Sequence, residues 1–400
     1  MKILLICHKI PYPLFDGGSY STYNTALGLI SQKIDLKILA VNTSRDYVDL
    51  ECIPNDFRKL TRFETTGVDT RLKPMNAFLN LFSNHSYLVE RFFSKEYNTH
   101  LIEILKDAEF DIIQLEHLYL CLYLETIRKY SKAKVVLRPQ NVENMLWHDY
   151  LNKLKNPFSK FLLLIATRRL EVFEKKMINK VDGLIALTSI DADYFKKFGK
   201  QTKIIDVPIG IDFTRFENID FDKQFENFPV LYHLGSMDWK PNVEGLKWFV
   251  KKVMPILKQK YPEIKIKIAG KNMPKWFFKQ KNKNLIVEGR VVDSIKYQED
   301  KAILIVPLIT GGGIRVKILE GLAMGKTIIS TTIGAQGISV VNNENILIAD
   351  SPEAFVSQIS KCIESETLCR IIGYNAKKLA IQKYELSNIA KGMIEFYKSL

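Results

Sequence analysis

The sequence predicts an α/β protein made of two doubly wound domains, each a parallel sheet with helices on both faces. Three observations carry this prediction. Short apolar runs alternate with helix-like segments in the first half of the chain, and the same alternation restarts in the second half. Repeated strand–helix units of this kind build parallel sheets. The chain has 400 residues, which is more than one hydrophobic core usually supports.

The elements follow from the apolar runs in chain order. The predicted strands are the short apolar segments 2–7, 36–41, 111–115, 134–137, 183–187, 230–234, 264–269, 285–287, 302–308, 327–330 and 345–348. The predicted helices with the clearest pattern are 19–30, 243–260, 314–324 and 387–400. We predict a first domain at 1–206, a linker at 207–228 and a second domain at 229–385. Packing back on the first domain is one option for the C-terminal helix, 386–400.

Composition narrows the class of protein. The net charge of +14 favours anionic partners: phosphorylated substrates, an anionic membrane surface or nucleic acid. Apolar runs such as 161–166 are far below the ~20 residues that span a bilayer. Residues 1–7 lack the basic start and small-residue cleavage site of a signal peptide, so we expect a cytoplasmic protein. Its five scattered cysteines show no metal-binding spacing, and we expect free thiols.

The most informative segment is a glycine loop between a strand and a helix. Gly311, Gly312 and Gly313 follow the predicted strand 302–308, and an apolar helical pattern starts at Ile314. This arrangement points backbone N–H groups and the positive end of a helix at an anion.

Charged residues follow the glycines. Arg315 and Lys317 stand in the first helical turn, where the helix dipole favours acidic residues, so a bound anion is expected there. Glu320, further along the helix, can accept hydrogen bonds from hydroxyl groups. Phosphate plus hydroxyls indicates a nucleotide or a sugar phosphate.

Glycine or polar residues also follow the strands of the first half. Gly17 and Gly18 lie in the loop after the first strand, where an ordinary turn is the simpler interpretation. His117 follows strand 111–115, at a position suited to a ligand, although a single His is more often structural. Arg138, Asn141 and Glu143 follow strand 134–137. For Glu143, helix capping and ligand binding are equally favoured.

The second half repeats this arrangement. Gly235 follows strand 230–234, Lys240 is placed for a phosphate, and Asn242 is predicted to cap the next helix. Gly289, Arg290 and Val291 follow strand 285–287. Ligands of doubly wound sheets bind outside the carboxyl ends of the strands. We therefore expect an enzyme cleft between the two domains.

These segments together resemble glycosyltransferase family 4, which comprises retaining enzymes of the GT-B fold with two Rossmann-like domains. The similarity covers nearly the whole chain and is strongest in 234–242, 268–270, 287–293, 306–308 with the glycine loop, and 328–337. In the first half, 114–117 and 138–143 resemble one bacterial subgroup of the family. It implies a UDP- or GDP-linked sugar held by the second domain and a glycan or lipid-linked acceptor held by the first. The cationic residues can neutralise a diphosphate without a metal. We expect no cofactor, since the nucleotide sugar is a co-substrate.

The resemblance also assigns residues. Glu320 matches the second Glu of the family's Glu-x7-Glu signature, which typically binds the donor ribose, whereas Gly312 stands where the first Glu is usual. The expected catalytic residues are His117, Arg315 and Lys317. The expected donor-binding residues are Gly235, Lys240, Gly289, Arg290, Val291, Gly311, Gly312, Gly313, Ile314 and Glu320. The expected acceptor or phosphate loops contain Gly17, Gly18, Arg138, Asn141 and Glu143.

The predicted function is transfer of a hexose-type sugar in the synthesis of bacterial surface polysaccharide, including lipopolysaccharide, or other glycoconjugates. The alternatives are a non-catalytic GT-B sugar- or nucleotide-binding subunit and a GT-B nucleotide-sugar epimerase. Two basic, apolar stretches, 71–95 and 151–176, suit peripheral docking on the inner face of the plasma membrane, with core-facing helices as the competing interpretation. No nucleic-acid partner is expected, since charge alone would support it.

Overall fold

The computed structural model describes residues 1–14, 16–44, 46–83, 85–279 and 283–400, except for the side chains of Pro74, Ala77 and Leu81. The chain divides into two compact units. The first contains Met1–Gly210 together with Leu386–Leu400, and the second contains Ile211–Glu385. Each unit is built on one parallel sheet with helices, which confirms the predicted fold class of two doubly wound domains.

The sheet of the first unit has, within the described residues, seven strands in the order β3-β2-β1-β4-β5-β6-β7. These strands are β1 Lys2–Cys7, β2 Asp35–Thr43, β3 Glu64–Val68, β4 Ile112–Leu115, β5 Lys134–Leu137, β6 Gly183–Ala186 and β7 Lys203–Asp206. The sequence analysis missed β3 and β7. Both are edge strands with few buried residues, so neither has the apolar run by which the other strands were found.

The part of the first unit before residue 210 contains nine helices, counted over the described residues. They are α1 Gly17–Ser31, α2 Asn55–Leu60, α3 Pro74–Leu79, α4 Tyr87–Glu90, α5 Lys95–Asp107, α6 Leu124–Tyr130, α7 Glu143–Lys153, α8 Pro157–Ile178 and α9 Ser189–Lys196. Short 3-10 segments lie at Leu50–Cys52, Asn80–Phe82 and Leu118–Tyr123. The central strand β1 is fully buried from Ile3 to Ile6, so the core covers both faces of the sheet.

The sheet of the second unit has six strands in the described chain, in the order β10-β9-β8-β11-β12-β13. They are β8 Val230–Leu234, β9 Lys265–Ala269, β10 Leu285–Gly289, β11 Ile303–Val306, β12 Thr327–Ser330 and β13 Leu347–Ile348. The strand order reverses between β8 and β11, which pair in parallel. Loops leave the carboxyl ends of these two strands side by side, and such a switch point is where doubly wound sheets bind ligands.

The helices of the second unit, within the described residues, are α10 Lys240–Trp248, α11 Met254–Lys260, α12 Lys275–Phe278, α13 Ser294–Gln298, α14 Val316–Ala323, α15 Thr332–Ala335, α16 Pro352–Glu364 and α17 Glu366–Tyr384. The helix predicted at 243–260 is interrupted by a π-helical turn, Phe249–Val253. Pro255 follows at the start of α11. Proline has no N–H to continue the α-helical pattern, and the wider π turn accommodates it.

The seam between the units differs from the predicted linker 207–228. Residues 207–210 belong to the first unit and 211–228 to the second. The second part forms two 3-10 turns, Phe213–Phe216 and Lys223–Phe225. Phe225 packs into the hydrophobic core of the second unit. This segment is therefore a folded part of the second unit, because its aromatic residues are buried.

The last helix, α18 (Leu386–Lys398), packs on the first unit. A Cβ atom on Gly28 of α1 would lie 3.1 Å from Cβ of Ala390, so glycine allows the two helices to approach closely. Met393, Phe396 and Tyr397 are buried in the core of the first unit. Among the described residues, no helix has both the length and the apolar character needed to cross a membrane.

The packing of α18 predicts that Phe396→Ala destabilises the first unit. Phe396 is 7% exposed, and truncating a buried Phe usually costs about 3 to 5 kcal/mol. Urea unfolding should show a loss of this order. Lys391→Ala, at an exposed position of the same helix, should change the unfolding free energy by less than about 0.5 kcal/mol. Equal effects of the two substitutions would contradict the packing.

Candidate functional site at the glycine loop

The glycine loop follows β11 and lies against the start of α10. Thr310 donates a hydrogen bond to Glu244 Oε2 at 2.8 Å. Gly311 and Gly313 have φ angles of +118° and +76°, which favour glycine. A Cβ atom on Gly311 would lie 2.9 Å from Cζ2 of Trp239. The loop therefore needs glycine both for its backbone conformation and for its contact with the indole.

Arg315 closes this loop from the inside. Its Nη2 donates to the carbonyl oxygen of Gly311 at 2.8 Å, and its Nη1 donates to that of Gly313. The side chain is buried, its Nε has no hydrogen-bond partner, and no carboxylate pairs with it in the described chain. Burial lowers its pKa to about 10. Arg315 thus holds the loop and leaves a positive charge uncompensated at the N-terminus of α14.

Lys317, in the first turn of α14, is held by two neutral side chains. Its ammonium nitrogen lies 2.9 Å from Oδ1 of Asn242 and 3.3 Å from Nε2 of His233. A Cβ atom on Gly235 would lie 2.5 Å from this nitrogen, so Gly235 makes room for the lysine. Burial, together with the charge of Arg315, lowers the pKa of Lys317 to about 7.

The hydrogen bonds of His233 fix its tautomer. Its Nδ1 lies 2.9 Å from the carbonyl oxygen of Ile305, which can only accept, so Nδ1 carries the proton. The bare Nε2 then accepts from Lys317. Burial is the main cause that lowers the pKa of His233 well below its usual value. A neutral histidine therefore faces the lysine.

The prediction that Asn242 caps α10 is wrong. The helix begins at Lys240, with Trp239 as its N-cap residue, and Pro241 in the first turn suits this earlier start. The amide of Asn242 instead donates to the carbonyl oxygen of Ser236 at 2.7 Å, and its oxygen accepts from Lys317. The contribution of His233 was also missed, although a histidine within an otherwise apolar strand is a signal that could have revealed it.

Glu320 lies on the same helix and pairs with Arg215, which belongs to the segment 211–228 at the start of the second unit. Arg215 donates from Nη1 to Glu320 Oε1 at 3.3 Å. Burial raises the pKa of Glu320, and the charge of Arg215 opposes this shift. The sequence analysis missed Arg215, because no local pattern links it to a helix about a hundred residues later. We use the term glycine-loop cluster for Gly311, Gly313, Arg315, Lys317 and Glu320 with His233, Asn242 and Arg215.

The other residues predicted in the second unit lie around this cluster or apart from it. Lys240 is exposed at the first position of α10. Gly289 has a φ of +71° at a register shift of β10. Arg290 is exposed and forms no hydrogen bond or ion pair with described residues, while Val291 and Ile314 are half-buried and Gly312 is exposed. The structure thus links Gly235 to the cluster through Lys317 and shows no hydrogen bond from Arg290 to it.

In the first unit, the N-terminus of α1 is already occupied by a carboxylate. Asp16 caps the helix by accepting from the N–H of Ser19 at 2.9 Å. The ammonium of Lys9 bonds to the same carboxylate. A Cβ atom on Gly18 would meet its neighbours at 3.4 Å, an ordinary contact. Gly17 and Gly18 therefore begin a helix whose positive end is compensated within the chain.

His117 and Glu143 do come together in the first unit. His117 Nε2 lies 3.2 Å from Glu143 Oε1, and the hydroxyl of Tyr119 donates to Glu143 Oε2 at 2.6 Å. The pKa of Glu143 is lowered because these contacts, with Trp147, outweigh its burial. Glu143 does not cap α7. Instead, Glu174 accepts from the N–H of Glu143 at 2.9 Å.

Arg138 is fully buried and pairs with Glu116 at 3.0 Å. The same carboxylate accepts hydrogen bonds from Thr22 and Gln140, each at 3.0 Å. The guanidinium therefore neutralises a buried carboxylate and is not presented to solvent. Asn141, also predicted in this loop, is half-buried and makes no hydrogen bond to the described residues.

Three comparisons place this geometry among known proteins. Residues 228–365 match the sequence model of the family described as Glycosyl transferases group 1. A Klebsiella pneumoniae protein, named as an uncharacterized 44.6 kDa protein in the cps region, is 24% identical over 406 residues, which cover 97% of each chain.

Solved structures share the whole fold. Sucrose-phosphate synthase from Thermosynechococcus elongatus superposes with a TM-score of 0.72 at 12% identity, covering 100% of this chain and 98% of the other. HepE of Anabaena, in complex with UDP-glucose, has a TM-score of 0.67 at 13% identity and covers 100% of both chains. The fold is that of GT-B glycosyltransferases. The match of residues 228–365 to the family model supports glycosyltransferase activity.

The lowered pKa of Lys317 predicts that the unfolding free energy of the ligand-free protein depends on pH, with a definite sign. Lys317 has a pKa of about 7 when folded and about 10.4 when unfolded. Between these values the unfolded state binds more protons, so the protein gains stability as the pH rises from about 7 towards 10. Lys317→Met removes the buried amine, and we expect the ligand-free protein to gain about 1 to 2 kcal/mol at pH 7.

The measurement is urea unfolding without nucleotide at pH 7 and pH 9. Lys361→Met, at an exposed position of α16, serves as the control and should leave both values unchanged. The gain from Lys317→Met should shrink at pH 9, where the wild-type amine is neutral. A loss of stability at both pH values would contradict the burial of an uncompensated amine.

Proposed function

We propose that this protein is a retaining glycosyltransferase that moves a hexose-type sugar from a UDP- or GDP-linked donor to a glycan or lipid-linked acceptor. Its setting would be bacterial surface polysaccharide or glycoconjugate synthesis. One observation carries the proposal. Two basic side chains, the buried Arg315 and the half-buried Lys317, have no carboxylate partner among the described residues and stand beside a glycine loop at a helix N-terminus. Buried charge of this kind is costly unless a ligand compensates it.

The diphosphate of a nucleotide sugar supplies the missing charge. Negative charge on the diphosphate increases as the bond to the sugar breaks, and preorganised cations and N–H groups stabilise it where water is excluded. Arg315 and Lys317 provide these cations in this chain, with the start of α14 adding its dipole. We therefore propose that the protein needs no metal ion for the departure of the nucleotide.

Glu320 is the proposed partner of the donor ribose. The hydrogen bond from Arg215 holds the Glu320 carboxylate in place at 3.3 Å. A carboxylate oxygen accepts strongly from hydroxyl groups, and a ribose offers two neighbouring hydroxyls. Phosphate-binding cations and a hydroxyl acceptor on one helix fit a nucleoside diphosphate better than inorganic phosphate alone.

The sugar and the acceptor are inferred from the comparisons and the first unit. The presence of UDP-glucose in the structure of HepE favours a UDP-linked hexose. The relative from a cps region favours polysaccharide synthesis. In the first unit, His117 is the proposed contact to the transferred sugar, with Glu143 orienting its ring at 3.2 Å. Retention of anomeric configuration is proposed on the family resemblance.

The donor assignment predicts that Glu320→Ala and Lys317→Ala lose most transferase activity while the protein remains folded. We expect kcat/KM to fall about 100-fold for Lys317→Ala and about 10- to 100-fold for Glu320→Ala. The assay is release of UDP or GDP from a panel of nucleotide sugars with lipid-linked and glycan acceptors, with products identified by mass spectrometry. Glu353→Ala and Lys361→Ala, at exposed positions of α16, are the matched controls.

The outcomes separate the alternatives. Wild-type turnover in both site variants would refute the donor site. Nucleotide release without an acceptor, with a changed sugar, would favour an epimerase. Tight nucleotide binding with no transfer to any acceptor would favour a non-catalytic subunit.

We also propose that the first unit docks on an anionic membrane. An aromatic-basic patch is exposed there, although other residues of the same two stretches, such as Phe92 and Leu163, pack in the core of the unit as the competing interpretation expected. Its apolar members are Met75, Phe78, Phe82, Phe158 and Phe161, which are 48% to 83% exposed. The two stretches 71–95 and 151–176 are in contact, because Arg169 of the second donates to the carbonyl oxygen of Asn80 in the first at 2.7 Å. The neighbouring Lys153, Lys155 and Lys160 are exposed, and exposed apolar rings with lysines suit anionic lipid.

Docking predicts that replacing Phe78, Phe82, Phe158 and Phe161 together by Ser weakens binding to vesicles containing phosphatidylglycerol. Sedimentation with vesicles at low salt should show at least a tenfold loss, because about four apolar side chains no longer insert. Phe278→Ser and Tyr374→Ser change exposed rings of the second unit and should have no effect. Absence of wild-type binding to these vesicles would refute docking.

A further inference from the structure

The amine of Lys317 is held by neutral hydrogen-bond acceptors only. Its amine lies between Asn242 Oδ1 at 2.9 Å and His233 Nε2 at 3.3 Å. Both partners are buried, with exposures of 3% and 0%. Each can accept a hydrogen bond from the amine, and neither carries a charge to balance an ammonium.

The charged groups of the neighbouring elements do not balance it either. Arg315, at the start of the same helix, is positive. Glu320, one turn further along α14, is engaged by Arg215 at 3.3 Å. Asp238, in the loop after β8, accepts from Asn272 at 2.9 Å and lies 3.7 Å from the ammonium of Lys271. Lys317 therefore forms no ion pair with any described residue.

We propose that Lys317 is largely neutral in the ligand-free protein above pH 7 and takes up one proton from solvent when a nucleoside diphosphate binds. His233 and Asn242 are positioning residues that hold the amine in either protonation state. The inference rests on the proposed function, because it assigns a proton to the same donor site. In this step, the neutral amine of Lys317 takes one proton from the buffer and becomes an ammonium beside the diphosphate.

The pKa of about 7 for Lys317 in the empty site agrees with this geometry. A diphosphate within a few ångströms favours the charged form and raises that pKa. At pH 8 the free amine is then mostly neutral and the bound one charged, so binding should take up about 0.9 proton. The terminal phosphate of UDP or GDP, with a pKa of about 6, is already deprotonated at pH 8 and cannot take up a proton beside cations.

His233 is suited to this role because it is an acceptor that stays neutral. Its Nδ1–H is bound to the carbonyl oxygen of Ile305, so the bare Nε2 always faces the amine. A carboxylate at this place would keep the lysine charged in the empty site and would compete with the diphosphate. An apolar residue would leave the amine without this partner and would lower its pKa further.

The test is calorimetric titration of the full chain with UDP and with GDP at pH 6, 7 and 8. Each titration is done in two buffers of different ionisation enthalpy, so that the observed enthalpies give the number of protons exchanged. We expect a net uptake of about 0.9 proton at pH 8 and about 0.4 at pH 7, and a net release of about 0.4 proton at pH 6, where the terminal phosphate of the free ligand is half protonated and loses its proton on binding. The Kd should rise about eightfold from pH 7.5 to 8.5, as a free-state pKa of about 7 requires.

Three variants identify the source of the proton and the role of His233. Lys317→Arg carries a permanent charge and should bind with uptake near zero at pH 8. His233→Leu should raise the uptake at pH 7 above about 0.4, and His233→Gln, whose amide oxygen can replace Nε2, should restore it. If His233 had only a structural role, His233→Leu would weaken nucleotide binding without changing the number of protons taken up.

Failure of this inference and failure of the proposed function give different results. Nucleotide binding with no proton uptake at pH 8 would overturn the inference and leave the donor site standing. Unchanged uptake in Lys317→Arg would also overturn it, and would point to another buried amine such as Lys326, whose pKa is likewise about 7. Absence of UDP and GDP binding at every pH would overturn the proposed function and the inference together.

Discussion

The site depends on one constraint: two basic groups, Arg315 and Lys317, lie beside a glycine loop, and no carboxylate among the described residues pairs with either of them. Arg315 is held by the carbonyl oxygens of Gly311 and Gly313, and Lys317 by Asn242 and His233. These neutral acceptors position the two basic groups and carry no charge that could balance them. Arg315 therefore keeps a positive charge at the carboxyl edge of the sheet at some expense of stability, as functional sites commonly do, and Lys317 adds a second charge when it is protonated.

The surrounding fold makes this arrangement possible. The strand order reverses between β8 and β11, so the loops that carry Gly235 and Gly311 start from neighbouring strands. Each of these loops must pass close to another group. Gly235 admits the ammonium of Lys317, and Gly311 admits the indole of Trp239. The glycines thus serve packing around the cations as much as the approach of a ligand.

The elements that could be predicted are those whose residues form a recognisable pattern over a short stretch of sequence. Buried strands such as β1 and β8 were found because they are continuous apolar runs, and Arg315, Lys317 and Glu320 were found because they follow three glycines. Partners distant in the chain were missed, because Arg215 and His233 meet α14 only through the tertiary fold. Arg138 illustrates the opposite case. Its loop position suggested a ligand, but the buried carboxylate that it neutralises could be seen only in the structure.

The central claim is that the glycine-loop cluster binds the nucleotide part of a sugar donor. Hydrogen exchange measured with and without saturating UDP-glucose, and with GDP-linked sugars, tests it most directly. The account predicts that one of these donors slows exchange of the backbone amides in 235–242 and 311–320. Slower exchange only at the N-terminus of α1, or no change with any donor, would contradict it.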